Sequence, residues 1–314
     1  MDNLCHSLAG LALAETGLKR KTPLAAITML VGANLPDVDA LAYLDSPVAA
    51  LAFRRGLTHG ILAMLLWPLV LAGVMLALDR LVRQRKYPGV TPANFPGLLL
   101  VAAVAVVSHP LLDLMNTYGV RLLMPFSGQW FYGDTLFIVD PWMWLVLLLG
   151  IIFARRAQAR RRDHAYRPAR VALALCAGYI FLMVGINATV IFTARNDAAV
   201  AGLESGRTMA APTFGNPARW RTVVEIGTTY MTGRFDVQRH VPERELLQTN
   251  ATQAFARRAA ASADGRRFLT WARFPYFVEG SYDGCPAGHV CIRDARYPGQ
   301  DWAEARIPIP TGNP

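Results

Sequence analysis

The amino-acid sequence predicts an all-α polytopic membrane domain of about six helices, followed by a small β-rich extracytoplasmic domain. Two observations lead to this expectation. Hydrophobic residues make up 53% of the 314 residues, and many of them stand in runs long enough to cross the hydrocarbon core of a bilayer. From about Asn196 onward the apolar runs shorten and Pro, Gly and Arg recur. We therefore expect a transmembrane domain over residues 1–196 and a second domain over residues 197–314.

The apolar runs differ in how clearly they read as membrane spans. Residues 57–78, 95–114, 138–154 and 171–194 each have the length or composition of a span, and residues 4–18 and 23–44 are weaker candidates. The first weaker candidate is short and can instead lie in the membrane interface. The N-terminus shows no charged region and no small-residue cleavage site, so we do not expect a removable signal peptide.

The basic residues predict the orientation in the membrane. With six spans, fourteen Lys and Arg residues fall in the connections on one side and three on the other. Basic loops stay in the cytoplasm, so both termini are expected outside, in the periplasm if the cell is a Gram-negative bacterium. This distribution also accounts for the formal net charge of +10. The Arg-rich loop over residues 155–170 therefore gives no reason to expect a nucleic-acid partner.

The C-terminal region shows strand and turn patterns. We expect strands over residues 222–226, 267–271, 276–278 and 289–292, bounded by Gly, Pro and Asp, and a helix within residues 243–261. Cys285 and Cys291 flank a Pro-Ala-Gly turn, which is compatible with a short-loop disulfide in an oxidising compartment. A metal site there is disfavoured because no second pair of cysteines accompanies them. Cys5 and Cys176 lie in or beside spans and are expected to pack as apolar residues.

The end of the apolar run over residues 95–114 carries two ionisable residues that indicate a function. His109 and Asp113 are four residues apart, so on a helix they lie on one face and can converge on one point. Ionisable residues within membrane spans are candidates for function. Other ionisable residues fall at the same, extracytoplasmic ends of their predicted helices, although they are scattered along the sequence. The set is His6, Asp37, Asp39, His59, His109 and Asp113.

These residue types predict a metal site with phosphate chemistry. Imidazole and carboxylate groups are ligands for zinc, or for manganese or iron as second choices. A metal ion in such a site activates water and neutralises charge on a phosphoryl group. Arg54 and Arg55 precede His59 and can hold a phosphate. Asp37 or Asp39 can orient or deprotonate the water, and Asn116 can bind a ligand or backbone.

Each of these residues also has a purely structural interpretation. His6 can serve at the start of a helix, Asp37 can end one and Asp39 can cap the next. Arg54 and Arg55 can be interfacial anchors. We interpret Asp134 and Asp140 as turn residues, and His164, His240 and His289 as surface or structural histidines. The six-residue set is harder to explain this way, because burying so many polar groups unpaired would cost several kcal/mol each.

Four sequence segments resemble the YdjM/YfhP family of bacterial inner-membrane proteins. They are Met1-Asp2-Asn3-Leu4-Cys5-His6-Ser7-Leu8-Ala9-Gly10, Leu35-Pro36-Asp37-Val38-Asp39, Arg55-Gly56-Leu57-Thr58-His59 and His109-Pro110-Leu111-Leu112-Asp113. The resemblance covers roughly residues 1–196, with weaker similarity around Trp271-Ala272-Arg273-Phe274-Pro275. It implies a metal-dependent hydrolase in the inner membrane and names no substrate.

The order His…Asp…His…His-x-x-x-Asp is also similar to the ligand order of zinc-dependent phospholipase C and the P1-type nucleases. This similarity implies that His6, Asp37 or Asp39, His59, His109 and Asp113 are ligands, with Asp113 able to bridge two ions. Those enzymes add a further histidine pair and a His-x-x-x-Glu, and no such set follows Asp113 here. One or two metal ions are therefore expected instead of three.

These observations favour a membrane-embedded hydrolase of phosphoesters in lipid or lipid-linked substrates, with Asp37 and Arg55 in the reaction. The first alternative is a transporter in which the His/Asp cluster binds a cation or relays protons. It predicts polar residues throughout the bilayer, and the spans hold few, chiefly Thr28, Asn187 and Thr189. The second alternative is a non-catalytic membrane protein whose metal, if any, serves structure.

Overall fold

The computed structural model of the chain describes residues 1–237 and 243–309. These residues form two compact units, each described separately below. The helical unit contains Met1–Val38 and Arg55–Gly185, and the C-terminal unit contains Asp39–Arg54 and Ile186–Pro314. The boundary at residue 196, expected from composition, stays a prediction. His240 lies outside the described residues.

The first two thirds of the chain are helical. The α-helices, in order, are α1 (Asn3–Glu15), α2 (Ala25–Gly32), α3 (Pro47–Phe53), α4 (Ile61–Leu78), α5 (Gln84–Lys86), α6 (Phe95–Leu114), α7 (Pro141–Ala159) and α8 (Arg167–Val200). Short 3-10 helices cover Leu18–Arg20 and Leu35–Leu44, and one π-helical turn at Asp79–Arg83 joins α4 to α5.

Four of these helical segments are long and apolar enough to cross a membrane. They are Ile61–Lys86, Phe95–Leu114, Pro141–Ala159 and Arg167–Val200. A fifth is possible if α2 and the 3-10 helix Leu35–Leu44, which are bent by 43° at a short break, count as one span. Helix α1 has 13 residues, about 20 Å at 1.5 Å per residue, which is shorter than a hydrocarbon core of about 30 Å. The chain is thus a multi-pass membrane protein. The described residues contain four or five candidate spans, so the expected number of about six helices was approximate.

Small residues let the helices of the helical unit approach closely. An added Cβ at Gly10 of α1 would lie 2.7 Å from the carbonyl oxygen of Met29 in α2, so only glycine fits there. Below this contact, Ala14, Met29, Val101 and Ala105 belong to one buried apolar cluster. Close backbone packing of this kind is typical of helices in membranes. It fixes α1, α2 and α6 against one another.

The start of α1 is held in place by its capping residue. The Asp2 carboxylate accepts hydrogen bonds from the backbone N–H groups of Leu4 and Cys5, which satisfies two of the unpaired donors at a helix N-terminus. The indole Nε1 of Trp144 in α7 donates to the other Asp2 oxygen at 3.2 Å. The position of His6, one turn along α1, follows from this anchoring.

The C-terminal unit contains two antiparallel sheets. A four-stranded sheet has the order β1 (Thr208–Thr213), β2 (Asn216–Ile226), β3 (Thr229–Asp236) and β4 (Glu243–Gln248). A three-stranded sheet has the order β5 (Pro275–Glu279), β6 (His289–Asp294) and β7 (Glu304–Pro308). Helices α9 (Ala254–Ala261) and α10 (Ala263–Trp271) lie between them in sequence, and a 3-10 turn covers Asp301–Ala303. This confirms the predicted β-rich region.

Two local predictions for this unit were wrong. Residues 267–271, expected as a strand, form the end of α10, because Ser262 caps that helix through its hydroxyl and the apolar Phe268 and Trp271 then fall on one buried side. Residues 243–248, expected within a helix, form β4, because they pair with β3. Within the predicted range 243–261, only α9 (Ala254–Ala261) is helical.

The chain has one pair of joined cysteines among its described residues. Cys285 and Cys291 form a disulfide, and Cys5 and Cys176 are buried free thiols. The disulfide joins Cys285, in the connection between β5 and β6, to Cys291 within β6. Structural disulfides persist in oxidising compartments.

Replacing both Cys285 and Cys291 by serine is expected to lower the stability of the C-terminal unit by about 2 kcal/mol, because a closed loop of this length restricts the unfolded chain by that amount. The measurement is thermal unfolding of the full chain in detergent, with Cys176→Ser as the matched control. Without reductant, denatured wild-type protein is expected to expose two reactive thiols, and four after reduction. Four reactive thiols without reductant would contradict the disulfide.

Candidate metal centre

The predicted set of histidines and carboxylates is centred on the last turns of α6. His109 and Asp113 are both fully buried, and the Nε2 atom of His109 lies 3.3 Å from Asp113 Oδ2. The i,i+4 spacing therefore places both side chains on one face, as the sequence indicates. Pro110 lies between them inside the helix. The pair forms one wall of the site.

Asp37 and His59 reach the same point from two other segments. Asp37 lies in the 3-10 helix Leu35–Leu44, and His59 lies in the loop before α4. His59 Nε2 is 3.1 Å from His109 Nε2 and 3.3 Å from Asp113 Oδ2. The Asp37 carboxylate oxygens are 4.0 Å from His59 Nε2 and 3.8 Å from His109 Nε2. One ligand atom from each of these four residues lies within 4.8 Å of the others.

These separations fit a single metal ion. Ligand atoms about 2.1 Å from a tetrahedral zinc are about 3.4 Å apart, and the distances from the two histidine Nε2 atoms to the other ligand atoms, 3.1 to 4.0 Å, lie around that value. All four residues are buried, so the two carboxylates need a nearby positive charge to remain ionised. The cluster of Asp37, His59, His109 and Asp113 could therefore hold a metal ion.

Each of the two imidazole rings has a hydrogen-bond partner at its Nδ1 atom, and both Nε2 atoms point into the cluster. His109 Nδ1 is 2.6 Å from the carbonyl oxygen of Ala33, which can only accept a hydrogen bond, so Nδ1 carries the proton. His59 Nδ1 is 2.9 Å from the hydroxyl of Thr58. Such partners fix the tautomer and orientation of metal-ligating histidines. Asp113 Oδ2, facing both rings, has no hydrogen-bond partner among the described residues.

His6 adjoins the four-residue cluster from α1. Its ring stacks on that of His109 with centroids 3.7 Å apart, and its Nε2 is 3.3 Å from Asp113 Oδ1. Its Nδ1 is buried and has no hydrogen-bond partner in residues 1–237 and 243–309. His6 thus contacts the carboxylate oxygen that faces away from His59 and His109. If Asp113 bridged two metal ions, His6 would lie beside the second ion. With a single ion, His6 would support that ion's site.

Arg55 binds the cluster from the side opposite the histidine pair. Its Nη2 lies 2.9 Å from Asp113 Oδ1, and its Nη1 donates to Asn116 Oδ1 at 2.9 Å. The guanidinium also lies over the ring of Tyr118, 4.7 Å from its centroid. Its backbone has φ 53°, an uncommon value for a non-glycine residue, and its carbonyl accepts a hydrogen bond from the N–H of Arg121. Strained backbone of this kind clusters at functional sites.

The remaining predicted residues fall into three groups. Asn116 is buried beside Arg55, and its Nδ2 has no hydrogen-bond partner within the described part of the chain. Asp39 and Arg54 belong to the C-terminal unit, where Arg54 Nε is 3.5 Å from Asp39 Oδ1. Asp140, interpreted from the sequence as a turn residue, is the N-cap of α7 and accepts hydrogen bonds from the N–H groups of Trp142 and Met143.

Several contributors to the site carry no signal in the sequence. The amino group of Met1 contacts Asp113 Oδ1, and Ala33 contributes only its backbone carbonyl. Gly60 follows His59, and an added Cβ there would collide with the backbone of Met124. The glycine therefore allows residues 121–126 to lie against the loop that carries His59. Of these three contributions, only that of Gly60 depends on its residue type, and glycines are too common for the sequence to mark this one as part of the site.

Comparison with known proteins identifies relatives of unknown activity. Residues 1–190 match the family described as "YdjM inner membrane protein", which confirms the resemblance found in the sequence. The "Uncharacterized protein YfhP" of Bacillus subtilis (strain 168) is 28% identical over 161 residues, 48% of this chain and 45% of that protein. The match thus spans less than half of the length of the curated relative. No solved structure matches the chain.

Elemental analysis of detergent-purified protein tests whether the cluster holds a metal. We expect at least one equivalent of a divalent transition metal in the wild type and a loss of that equivalent in His109→Ala and Asp113→Ala, because each variant removes a ligand atom from a four-atom set. His289→Ala is the matched control, since it removes a histidine of the C-terminal unit and should retain the metal. A metal-free wild type, after purification without chelator and reloading, would contradict a metal site.

Proposed function

Because the chain belongs to the family of YdjM inner membrane proteins, we propose that it is a membrane-embedded, metal-dependent hydrolase of phosphoesters. The observation that carries the proposal is the convergence of four buried ligand atoms within 4.8 Å of one another, with the Arg55 guanidinium bound to the carboxylate of Asp113, one of the four residues. Two imidazoles and two carboxylates suit zinc, and manganese or iron would also fit.

The chemistry follows from the donors and from Arg55. Asp37, His59, His109 and Asp113 would hold a zinc ion, which would supply a bound water of lowered pKa and positive charge for a phosphoryl group. Asp37 is the most exposed of the four donors, at 9%, so we assign it the role of orienting the attacking water or accepting its proton. Arg55 and the Asn116 amide would orient the phosphoryl oxygens.

The proposed substrate is a phosphoester in a lipid or lipid-linked molecule. Large apolar side chains are exposed on segments that adjoin the cluster, namely Leu57 beside His59, Leu111 between His109 and Asp113, and Phe126. Exposed apolar surface on a membrane protein faces lipid, and such residues beside a polar site would admit a headgroup while the acyl chains stay in the bilayer.

We further propose that the cluster faces the extracytoplasmic side. The excess of basic residues in the opposite connections supports this orientation. The disulfide in the C-terminal unit supports an oxidising location for that unit as well. The first helical turn of α6 lies at the far end of the span from the cluster, next to the basic connection that holds Arg83 and Lys86.

The alternative of a cation or proton transporter receives less support. Such a protein needs polar groups leading from the cluster through the bilayer. On the face of α6 that carries His109, the preceding residues at helical spacing are Ala105, Val101 and Leu98, all fully buried and apolar. Met29 of α2 adds to this apolar layer. A site closed on that side suits a reaction with access from one side only.

Replacing Arg55 by lysine tests the reaction. With a fluorogenic phospholipid analogue and zinc-loaded protein, we expect kcat/KM to fall about 100-fold, because lysine keeps the charge but loses the two-pronged contact with phosphoryl oxygens. The metal content of Arg55→Lys should match that of the wild type, which separates loss of substrate orientation from loss of the ion. Equal activity in Arg55→Lys, or no hydrolysis of any phosphoester by zinc-loaded wild type, would contradict the proposal.

Labelling of single introduced cysteines tests the orientation. Thr252→Cys lies on an exposed turn of the C-terminal unit, and Arg162→Cys lies in the exposed basic connection before α8. In intact bacterial cells opened only at the outer membrane, a membrane-impermeant maleimide should label Thr252→Cys and should label Arg162→Cys only after the inner membrane is permeabilised. The reverse pattern would place the C-terminal unit in the cytoplasm.

A further inference from the structure

The C-terminal unit contains an open cleft that the proposed hydrolase site does not use. It has a volume of about 600 Å³ and lies along one face of the four-stranded sheet. Arg221, Thr232 and Arg234 line one side, and Tyr276 of the three-stranded sheet lines the other. Cavities of several hundred Å³ with a few convergent polar groups are typical of small-molecule sites.

Two arginines face each other across neighbouring strands in this cleft. Arg221 of β2 and Arg234 of β3 are direct partners in the antiparallel register, so their side chains leave the sheet on the same face. Partners in such a pair have Cβ atoms about 5 Å apart, and like charges placed directly opposite each other destabilise a sheet. The Arg221 and Arg234 side chains thus leave neighbouring strands side by side on the face that lines the cleft.

Arg221 has no compensating partner in the described structure. Its side chain makes no hydrogen bond, ion pair or ring contact with residues 1–237 or 243–309, although it is only partly exposed. Burial, and then the neighbouring Arg234 guanidinium, lowers the pKa of Arg221 below its usual value. Arg219, two residues earlier on the same strand face, differs in both respects, since it is 61% exposed and its Nε lies 3.4 Å from Asp236. Arg221 is therefore the arginine of this strand face that forms no ion pair with the described residues.

The other polar groups of the cleft help to define the chemical class of a ligand that could bind there. Thr232, on the same strand face as Arg234, presents a hydroxyl, and Glu245 and Asp283 also line the cleft. The Asp283 carboxylate is engaged by Arg293 at 2.7 Å. A carboxylate ligand has two oxygens in one plane, whereas a phosphoryl group offers more oxygens and a higher charge for two guanidinium groups at once.

From this arrangement we propose that the cleft of the C-terminal unit is a binding site for a phosphoryl group, held by Arg221 and Arg234. The group belongs either to a soluble phosphate compound or to a lipid headgroup, which share this chemistry. The site is separate from the His/Asp cluster, which belongs to the helical unit. The inference does not rest on the proposed hydrolase activity.

Calorimetric titration of the full chain with inorganic phosphate tests the site. The protein is first treated with chelator, because a metal in the helical unit would bind phosphate itself. Wild type and Arg219→Gln should bind phosphate alike, and Arg221→Gln should bind it roughly tenfold to a hundredfold more weakly, as expected for losing a charged hydrogen-bond donor. Chloride at equal ionic strength should not compete. Arg234→Gln is the second variant and should also weaken binding.

A second titration separates the two sources of the phosphoryl group. Detergent micelles containing phosphatidic acid are compared with micelles containing an uncharged glycolipid. If the wild type binds phosphatidic acid but not free phosphate, with the same order among the variants, the ligand is a lipid headgroup and the site stands. If neither probe binds, or if Arg221→Gln and Arg219→Gln bind equally, the proposal is wrong. Either result leaves the proposed hydrolase unaffected, because that activity is measured with the metal-loaded helical unit.

Discussion

The candidate site depends on the ionised carboxylate of Asp113. One of its oxygens is bound by Arg55 and by the amino group of Met1, and the other faces two histidine rings at 3.3 Å each. A fully buried carboxylate is tolerated only when opposite charge and hydrogen bonds replace the water that it loses. The charge of Asp113 therefore draws segments that are far apart in sequence to one point. The same charge makes the centre suitable for a cation.

Much of this centre could be predicted from the sequence. The spacing of His109 and Asp113 gave their common helical face, and the recurrence of ionisable residues at one end of the apolar runs added Asp37 and His59. The sequence did not show which of two neighbouring residues of the same type enters the cluster. Arg54 and Arg55 look equivalent in the sequence, yet the left-handed backbone at Arg55 sends its side chain into the cluster. Such a conformation depends on tertiary contacts and is not encoded by residue type.

The fold was predictable in class and less so in detail. Apolar runs identify membrane helices because lipid requires every exposed residue of a span to be apolar. No such requirement acts on the C-terminal unit, where short segments are ambiguous between helix and strand. Residues 267–271 contain Phe, Thr and Trp, which favour strands, but the Ser262 cap starts a helix before them. Residues 243–248 contain good helix formers, and pairing with β3 overrides that preference.

The apolar packing below the cluster bears on what the metal can do. The buried side chains of Met29 in α2 and of Val101 and Ala105 in α6 are all apolar and offer no polar group to a hydrated ion. An ion in the cluster would therefore be held between charged ligands on one side and apolar packing on the other. Low polarity behind the site strengthens every electrostatic interaction within it. A fixed ion that polarises a substrate uses this arrangement well, whereas an ion that must cross the membrane would meet a barrier directly below its binding site.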